Sequence, residues 1–397
     1  MFYGPPMVNA KTTSTLRNWL LSEGPGCTGL ADFVRRFTIE LQSNGLPIER
    51  IFIGPLLIHP VSSGIAVSYE YGSDTLREKE ISHERFAKLH ESPTTPMAYM
   101  VRTKQNLRAR LNQSETLGMN DLIELERTGY TDFFASPIIV SGTLRAGLTV
   151  STKRPEGFSP QTIELIEELR LAMGPILLLL AQRFEHRSIL KTYLGSDAGE
   201  RVWHGQIRRG ESETLNAAIC FCDLRGFTEL SGQLDRKRLL DLINDVFSHL
   251  VACVSAHGGQ VLKFMGDGLL ATFVDKEGQP LCGPALNAAS DAITAIETLR
   301  ALRKDEGKET PRVGIGLHVG EVLYGNIGAP GRLDFTVIGN AVNQTARIEG
   351  LCQKIGRPIL MSEAFATAMD FMDFPHGEHE VKGFEQPIRV YGHAPQK

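Results

Sequence analysis

The sequence predicts two mixed helix-and-strand domains in one chain, the second of α+β class. Three observations predict this. The chain has 397 residues, more than one ordinary hydrophobic core accommodates. Helical and extended patterns mix through its first half, and the pattern resets near residue 215. From there the elements run in a βαββαβ order, which implies helices on one face of a mostly antiparallel sheet. The resulting boundaries are a first domain over 1–180, a helical and Gly-rich linker over 181–212, and a second domain over 213–397.

In the first domain, residues 12–22 and 28–43 read as helices. The second carries Leu30, Phe33, Val34, Phe37 and Leu41 at helical spacing. IFIGPLLIHP (51–60) and SGIAVSYEY (63–71) are β-rich and punctuated by Pro and Gly. Residues 119–128 form a short helix, and DFFASPIIVSGTLRAGLTVSTKRP reads as two antiparallel strands joined at Ser141-Gly142. Ser159 is a good N-cap and Pro160 suits the first turn of a long helix. In that helix Ile166, Leu169, Met173, Ile176 and Leu180 alternate spacings of three and four, the seam pattern of a coiled coil. The seam is expected to pair with its copy in a second chain, and Gly174-Pro175 to kink or split the helix. LGSDAGERVWHGQIRRGESE is Gly-rich, polar and charged, as a linker is.

In the second domain AAICFCD is a strand. Residues 235–257 form a strongly amphipathic helix stopped by Gly258-Gly259. QVLKFMGDGLLATF is a hairpin with an Asp-Gly turn. A helix covers 284–303, VGIGLHVG and EVLYGNIG pair as two strands, FTVIG is another strand, and 340–354 is helical.

Composition narrows the function. Apolar residues make up 42% and charged residues 22%, as in soluble globular proteins. A net charge of −4 gives no general attraction to nucleic acid or anionic membranes, so a polyanionic substrate must be held by placed cations or metal. The six cysteines form no CxxC pair and lie in mostly apolar surroundings, as buried free thiols in a reducing cytosol do. The N-terminus lacks a signal pattern. The longest apolar stretch, 171–181, is shorter than the roughly 20 residues that a bilayer requires. The expectation is a cytoplasmic protein without a membrane span.

The chemistry concentrates in a few residues. Asp223 ends a strand in FCDLRGFT and Asp267 sits in the turn of LKFMGDGLLATF. Paired carboxylates are hard oxygen ligands suited to Mg²⁺, and two such residues hold two ions for in-line phosphoryl chemistry. Without metal their repulsion is costly. Gly226 permits close backbone approach, and the N–H groups of Phe227 and Thr228 at the next helix start can hold phosphate oxygens. Lys263 can donate to a base nitrogen or bind phosphate. Asn343 and Arg347, at i and i+4, share one helix face, where Arg offers a planar fork to a phosphate. Each residue has a plain alternative. Asp223 fits an N-cap, Asp267 a turn, Lys263 a solvated strand, and Asn343 with Arg347 a polar surface. HGEH at 376–379 has too few partners for a metal site.

FCDLRGFT, VLKFMGDGLLATF, GIGLHVGEVLYGNIG, FTVIGNAVNQTARIE and VKGFEQPIRVYG match, in order and spacing, one known pattern. Residues 213–393 resemble the class III adenylate/guanylate cyclase catalytic domain, a ferredoxin-like or palm-type antiparallel sheet with helices. The resemblance implies that Asp223 and Asp267 bind two Mg²⁺ or Mn²⁺ ions. It implies that Lys263 and Thr336 recognise adenine, Asn343 orients the ribose and Arg347 stabilises the transition state. Lys382 falls where the family often places a lysine for the terminal phosphate. The implied activity is adenylate cyclase, converting ATP to 3′,5′-cyclic AMP and pyrophosphate.

Two departures bear on that reading. Thr336 stands where mammalian membrane-bound adenylyl cyclases carry Asp, and looks like the bacterial and soluble subclass. Glu321 stands where some members have a phosphate-binding Arg. Guanylate cyclase is one alternative, against which Lys263 argues. A degenerate cyclase-fold module that binds nucleotide for regulation is another, against which the complete residue set argues. In this family the site forms between two catalytic domains, so the resemblance also implies a symmetric homodimer. The first domain resembles a GAF-type sensor through PIIVSGTLRAGLTVSTKRPEGFSPQTIELIEEL. Such a domain binds a small molecule or serves dimerisation, and no motif names its ligand.

Overall fold

The computed structural model describes residues 10–56, 62–91, 94–113, 115–275, 277, 279–371 and 374–393. Contacts divide the chain into two units, Met1–Ile189 and Leu190–Lys397. The end of the β-rich stretch 51–60 and both termini lie outside the described residues.

The first unit contains α1 (Ala10–Ser22), α2 (Leu30–Ser43), β1 (Arg50–Pro55), β2 (Ser62–Glu70), β3 (Thr75–Ser82), α3 (His83–Glu91), α4 (Pro96–Thr103), β4 (Leu107–Ala109), α5 (Asn120–Arg127), β5 (Asp132–Val140), β6 (Thr143–Thr152) and α6 (Pro160–Leu194). Its antiparallel sheet runs β3-β2-β1-β6-β5-β4. Ser141 and Gly142 both take positive φ between β5 and β6, as a tight hairpin requires. α1, α2 and α6 share one core with the sheet, whereas α4 and α5 contribute to another. Asp132 is fully buried. It is paired with Arg108 at 2.8 Å and accepts from the Phe158 N–H at 2.9 Å, which fixes the loop into α6.

α6 bears on two expectations. It is one helix of 35 residues with Pro175 inside it, so Gly174-Pro175 does not split it. The seam is not a coiled-coil face: Ile166, Leu169, Met173, Ile176 and Leu180 are all buried in the core of their own unit. The three-and-four spacing marks any buried helical stripe, and here a sheet covers it. Gly174 serves close approach, since a methyl there would fall 2.9 Å from Val140 Cγ2 on β5.

The second unit opens on α7 (Ser196–Trp203) and continues through β7 (Ser212–Leu224), α8 (Phe227–Gln233), α9 (Arg236–Ala256), β8 (Gln260–Met265), β9 (Gly268–Phe273), α10 (Cys282–Asp305), β10 (Val313–Ala329), β11 (Arg332–Ile338), α11 (Asn340–Ile355), β12 (Ile359–Ser362), α12 (Glu363–Ala368), β13 (Pro375–His379) and β14 (Ile388–His393). The expected linker is thus partly a helix of this unit. Asp197 on α7 accepts from Tyr324 Oη at 2.8 Å and from Arg201 Nε at 2.7 Å, and Ala198 is buried. A polar, Gly-rich composition hid a short helix that docks through these contacts.

The sheet runs β13-β14-β12-β10-β7-β9-β8, with β11 on β10. Only β10 and β12 pair in parallel among the described strands. VGIGLHVG and EVLYGNIG are not a hairpin but one strand of 17 residues, because β7 pairs with it from Val313 to Gly325. Helices lie on both faces rather than one. Ala218, Cys220 and Cys222 of β7 pack in a core with α9, α10 and α12, whereas Ala217 and Ile219 pack in one with α7 and α11. The alternation in β10 has the same cause. Val313, Ile315 and Leu317 fill the α9–α10 side, and Gly314 and Gly316 leave room for α11 on the other.

α9 is long and apolar enough, by length and composition, to cross a membrane. Its Leu242, Val246, Leu250 and Val254 are buried in the core, and Asp241, Asn244 and Ser248 are exposed, as on an amphipathic core helix. All six cysteines are free.

Candidate active site

Two strand ends build the centre. β7 and β9 are neighbours, and Cys222 pairs with Leu269. Asp223, one residue on, therefore comes level with Gly268, and Asp267 at the tip of the β8–β9 hairpin comes beside it. The hairpin loop is Gly266-Asp267, since Met265 already pairs with Gly268. Glycine at 266 takes a φ of 67°, which a two-residue loop uses at its first position. The turn is therefore Gly-Asp rather than the Asp-Gly read from the sequence. A methyl at Gly268 would fall 3.1 Å from Asp223 Oδ1, so the bare glycine leaves space for the carboxylate.

Burial pushes the Asp223 carboxyl up to about 6. The charge of Asp267 and a hydrogen bond shared with it push the same way, against the N–H of Leu224. Two half-buried acids held this close favour a cation between them. Their oxygens suit Mg²⁺ or Mn²⁺. Among the described residues no group of three or more His, Cys, Asp or Glu side chains gathers to hold a metal. Two carboxylates completed by water and substrate phosphate are the usual Mg²⁺ arrangement, and the residues present fit it.

Lys263 on β8 lies with its Nζ 3.6 Å from Asp334 Oδ2 on β11. Thr336, two residues along β11, is 3% exposed, and its Oγ1 is buried without a hydrogen-bond partner. Gly226 takes a φ of 72° at the start of α8, where no side chain caps the helix, so the N–H groups of Phe227 and Thr228 stay open. Asn343 and Arg347 are exposed on α11, and Lys382 is exposed in the turn before β14. Of the HGEH histidines, His379 Nε2 meets the His376 carbonyl at 2.9 Å.

The structure thus joins Asp223 to Asp267, and sets Lys263 on the strand facing Thr336's strand. It does not bring Arg347 to the aspartates. Glu349, two residues after Arg347, is the α11 side chain whose carboxyl feels both of them. Two helical positions differ by about 200° in direction, so Arg347 points away from its own aspartates. Sequence reading missed three residues here: Asp334, Arg225 and Glu349. The Gly314–Gly316 alternation was the available signal, since a strand that bares glycine toward a helix places that helix's side chains against its neighbours.

Residues 211–392 match the family model for the adenylate and guanylate cyclase catalytic domain. The second unit therefore carries a class III adenylate/guanylate cyclase catalytic domain. Over 194 residues, 47% of the chain, it is 36% identical to an adenylate cyclase of Anabaena cylindrica, of which the match spans 38%. The adenylyl cyclase CyaB of P. aeruginosa is similar at 29% identity and a TM-score of 0.42, over 47% of this chain and 97% of that one. The guanylyl cyclase Cya2 is similar at 26% identity and a TM-score of 0.41, over 46% and 92%. The chain thus spans well under half the length of the Anabaena cyclase it matches.

Proposed function

We propose that the chain is an adenylate cyclase, forming 3′,5′-cyclic AMP and pyrophosphate from ATP at sites shared between two copies. The observation that carries the choice of ATP is Lys263, paired with Asp334 on β11, together with the buried, unpartnered hydroxyl of Thr336 two residues along that strand. Adenine offers an acceptor at N1 and donors at N6. A lysine donates only and a threonine hydroxyl also accepts, so the two complement adenine. Guanine offers a donor at N1, which a lysine cannot receive.

Asp223 and Asp267 would hold the two Mg²⁺ or Mn²⁺ ions. When bound, the ions supply acidity to the ribose 3′-hydroxyl and neutralise the leaving pyrophosphate. The chain's residues do the placing. Lys263 and Thr336 hold the base, Asn343 orients the ribose, and Arg347 presents its donor fork to the α-phosphate as charge builds there. The Phe227 and Thr228 amides and Lys382 bind the outer phosphates. The 3′-oxygen bonds to the α-phosphorus, the bond to pyrophosphate breaks, and the hydroxyl proton leaves to solvent.

The outward direction of Arg347 supports a homodimer in which one chain gives the aspartates and its partner the base, ribose and arginine contacts. Phe264, Met265, Leu323 and Ile338 are exposed apolar residues of this unit that such a partner would cover. We assign the first unit a GAF-like regulatory role, since its α6 leads by chain into α7. Purified protein incubated with ATP or GTP tests the reading. Cyclic AMP as the main product supports it, cyclic GMP favours guanylate cyclase, and neither product with bound nucleotide favours a degenerate module.

A further inference from the structure

A third acid lies behind the aspartate pair, and the proposed chemistry leaves it idle. Glu349 is held over β10 by close approach of α11, for a methyl at Gly316 would fall 2.6 Å from the Glu349 backbone nitrogen. At Gly314 a methyl would overlap Glu349 Oε1 and lie 3.3 Å from Arg225 Nε. Gly314 is also the register partner of Asp223. One missing side chain therefore makes the space in which Glu349 and Arg225 stand against the metal-binding strand end. Arg225 is fixed independently. Its Nη2 donates to the Arg357 carbonyl at 2.6 Å and its N–H to the Arg312 carbonyl at 2.8 Å, while Nε is buried without a partner. The electrostatics agree with this placement. Burial and then the Asp223 charge push the Glu349 carboxyl up to about 7, with Arg225 opposing and Asp267 adding.

Resting on the metal reading above, we propose that Glu349 is a positioning residue of the cation site, an outer carboxylate that strengthens divalent-cation binding at Asp223 and Asp267 without ligating. Arg225 stands beside it in the space left by Gly314 and offsets part of its charge. The absence of a three-acid ligand group among the described residues is why the role is outer rather than direct. A buried negative charge beside two others destabilises the metal-free fold and attracts a doubly charged ion. A residue that only braced α11 would do the first part in reverse.

The test uses the full-length chain and Mn²⁺ as the probe, with affinity by calorimetry and the melting temperature in chelator. Glu349→Gln keeps shape and removes charge. It should weaken Mn²⁺ binding by about tenfold to a hundredfold, the usual effect of losing an outer-shell partner, and leave the metal-free melting temperature equal or higher. Glu349→Asp keeps charge and should retain affinity within about tenfold. Unchanged Mn²⁺ affinity in Glu349→Gln with a lower metal-free melting temperature overturns the proposal, and so does equal loss in both variants. Asp223→Asn is the control. If wild type binds Mn²⁺ and Asp223→Asn does not, a silent Glu349→Gln defeats this inference alone. If wild type and Asp223→Asn behave alike, the metal reading falls and this one with it.

Discussion

Lys263 Nζ on β8 stands 3.6 Å from Asp334 Oδ2 on β11, and Thr336 lies two residues beyond Asp334 on the same face. The ion pair ties the ammonium to β11, the strand that also carries the unpartnered Thr336 hydroxyl. Lys263→Glu should reverse the base preference. A site that hydrogen-bonds its ligand discriminates strongly, and we expect kcat/KM for ATP to fall by at least about a hundredfold while the GTP value holds or rises. Chromatographic measurement of both cyclic products decides it. An unchanged ATP-to-GTP ratio would remove Lys263 from base recognition.

The direction of α11 makes a second prediction. Arg347 points away from the aspartates of its own chain, so inactive Asp223→Ala and inactive Arg347→Ala should complement when mixed. Freely exchanging chains give about half heterodimers, each with one intact site of two. Recovery should approach a quarter of wild-type activity. No recovery, with subunit exchange shown by mixed labels, would place the whole site in one chain.

Much of this site was legible in sequence because its residues sit on strong local signals. Asp223 ends an apolar strand, Asp267 sits on a glycine turn, and Asn343 with Arg347 shows a helical spacing. Glu349 and Arg225 carry no such signal, since what places them is the bareness of Gly314 on a strand far along the chain. The same limit explains the reading of β10 as two strands. Its glycines look like breaks until β7 is seen to pair across them. It also explains α6, whose apolar stripe gave the helix but not what covers it.

The raised acids imply a pH dependence of the metal-free protein. Asp223 rises from 3.8 to about 6 and Glu349 from 4.5 to about 7. The folded chain then binds more protons than the unfolded one across that window, so the stability these groups contribute is present at low pH and is lost as pH rises toward 7. In chelator, the melting temperature should fall more between pH 5 and pH 8 in wild type than in Asp223→Asn. Saturating Mn²⁺ should raise it more at pH 8 than at pH 5. Parallel pH profiles for the two proteins would mean that the Asp223 carboxyl is not strained by its surroundings.

The burial of the α6 stripe changes what its substitution should do. Ile166 is 4% exposed and Met173 is 1% exposed, both inside the core of the first unit. A lysine at either position must bury an unpaired ammonium or expel the helix from the sheet, and each costs several kcal/mol, about the scale of a whole domain's stability. Ile166→Lys with Met173→Lys should therefore abolish the melting transition of the first unit and open it to protease. Leu171 on the same helix is 69% exposed, so Leu171→Lys should leave both unchanged. Calorimetry and limited proteolysis of the full chain separate the outcomes. A double variant that melts normally but dissociates on dilution would restore the paired-helix reading and contradict the packing of α6 on its own sheet.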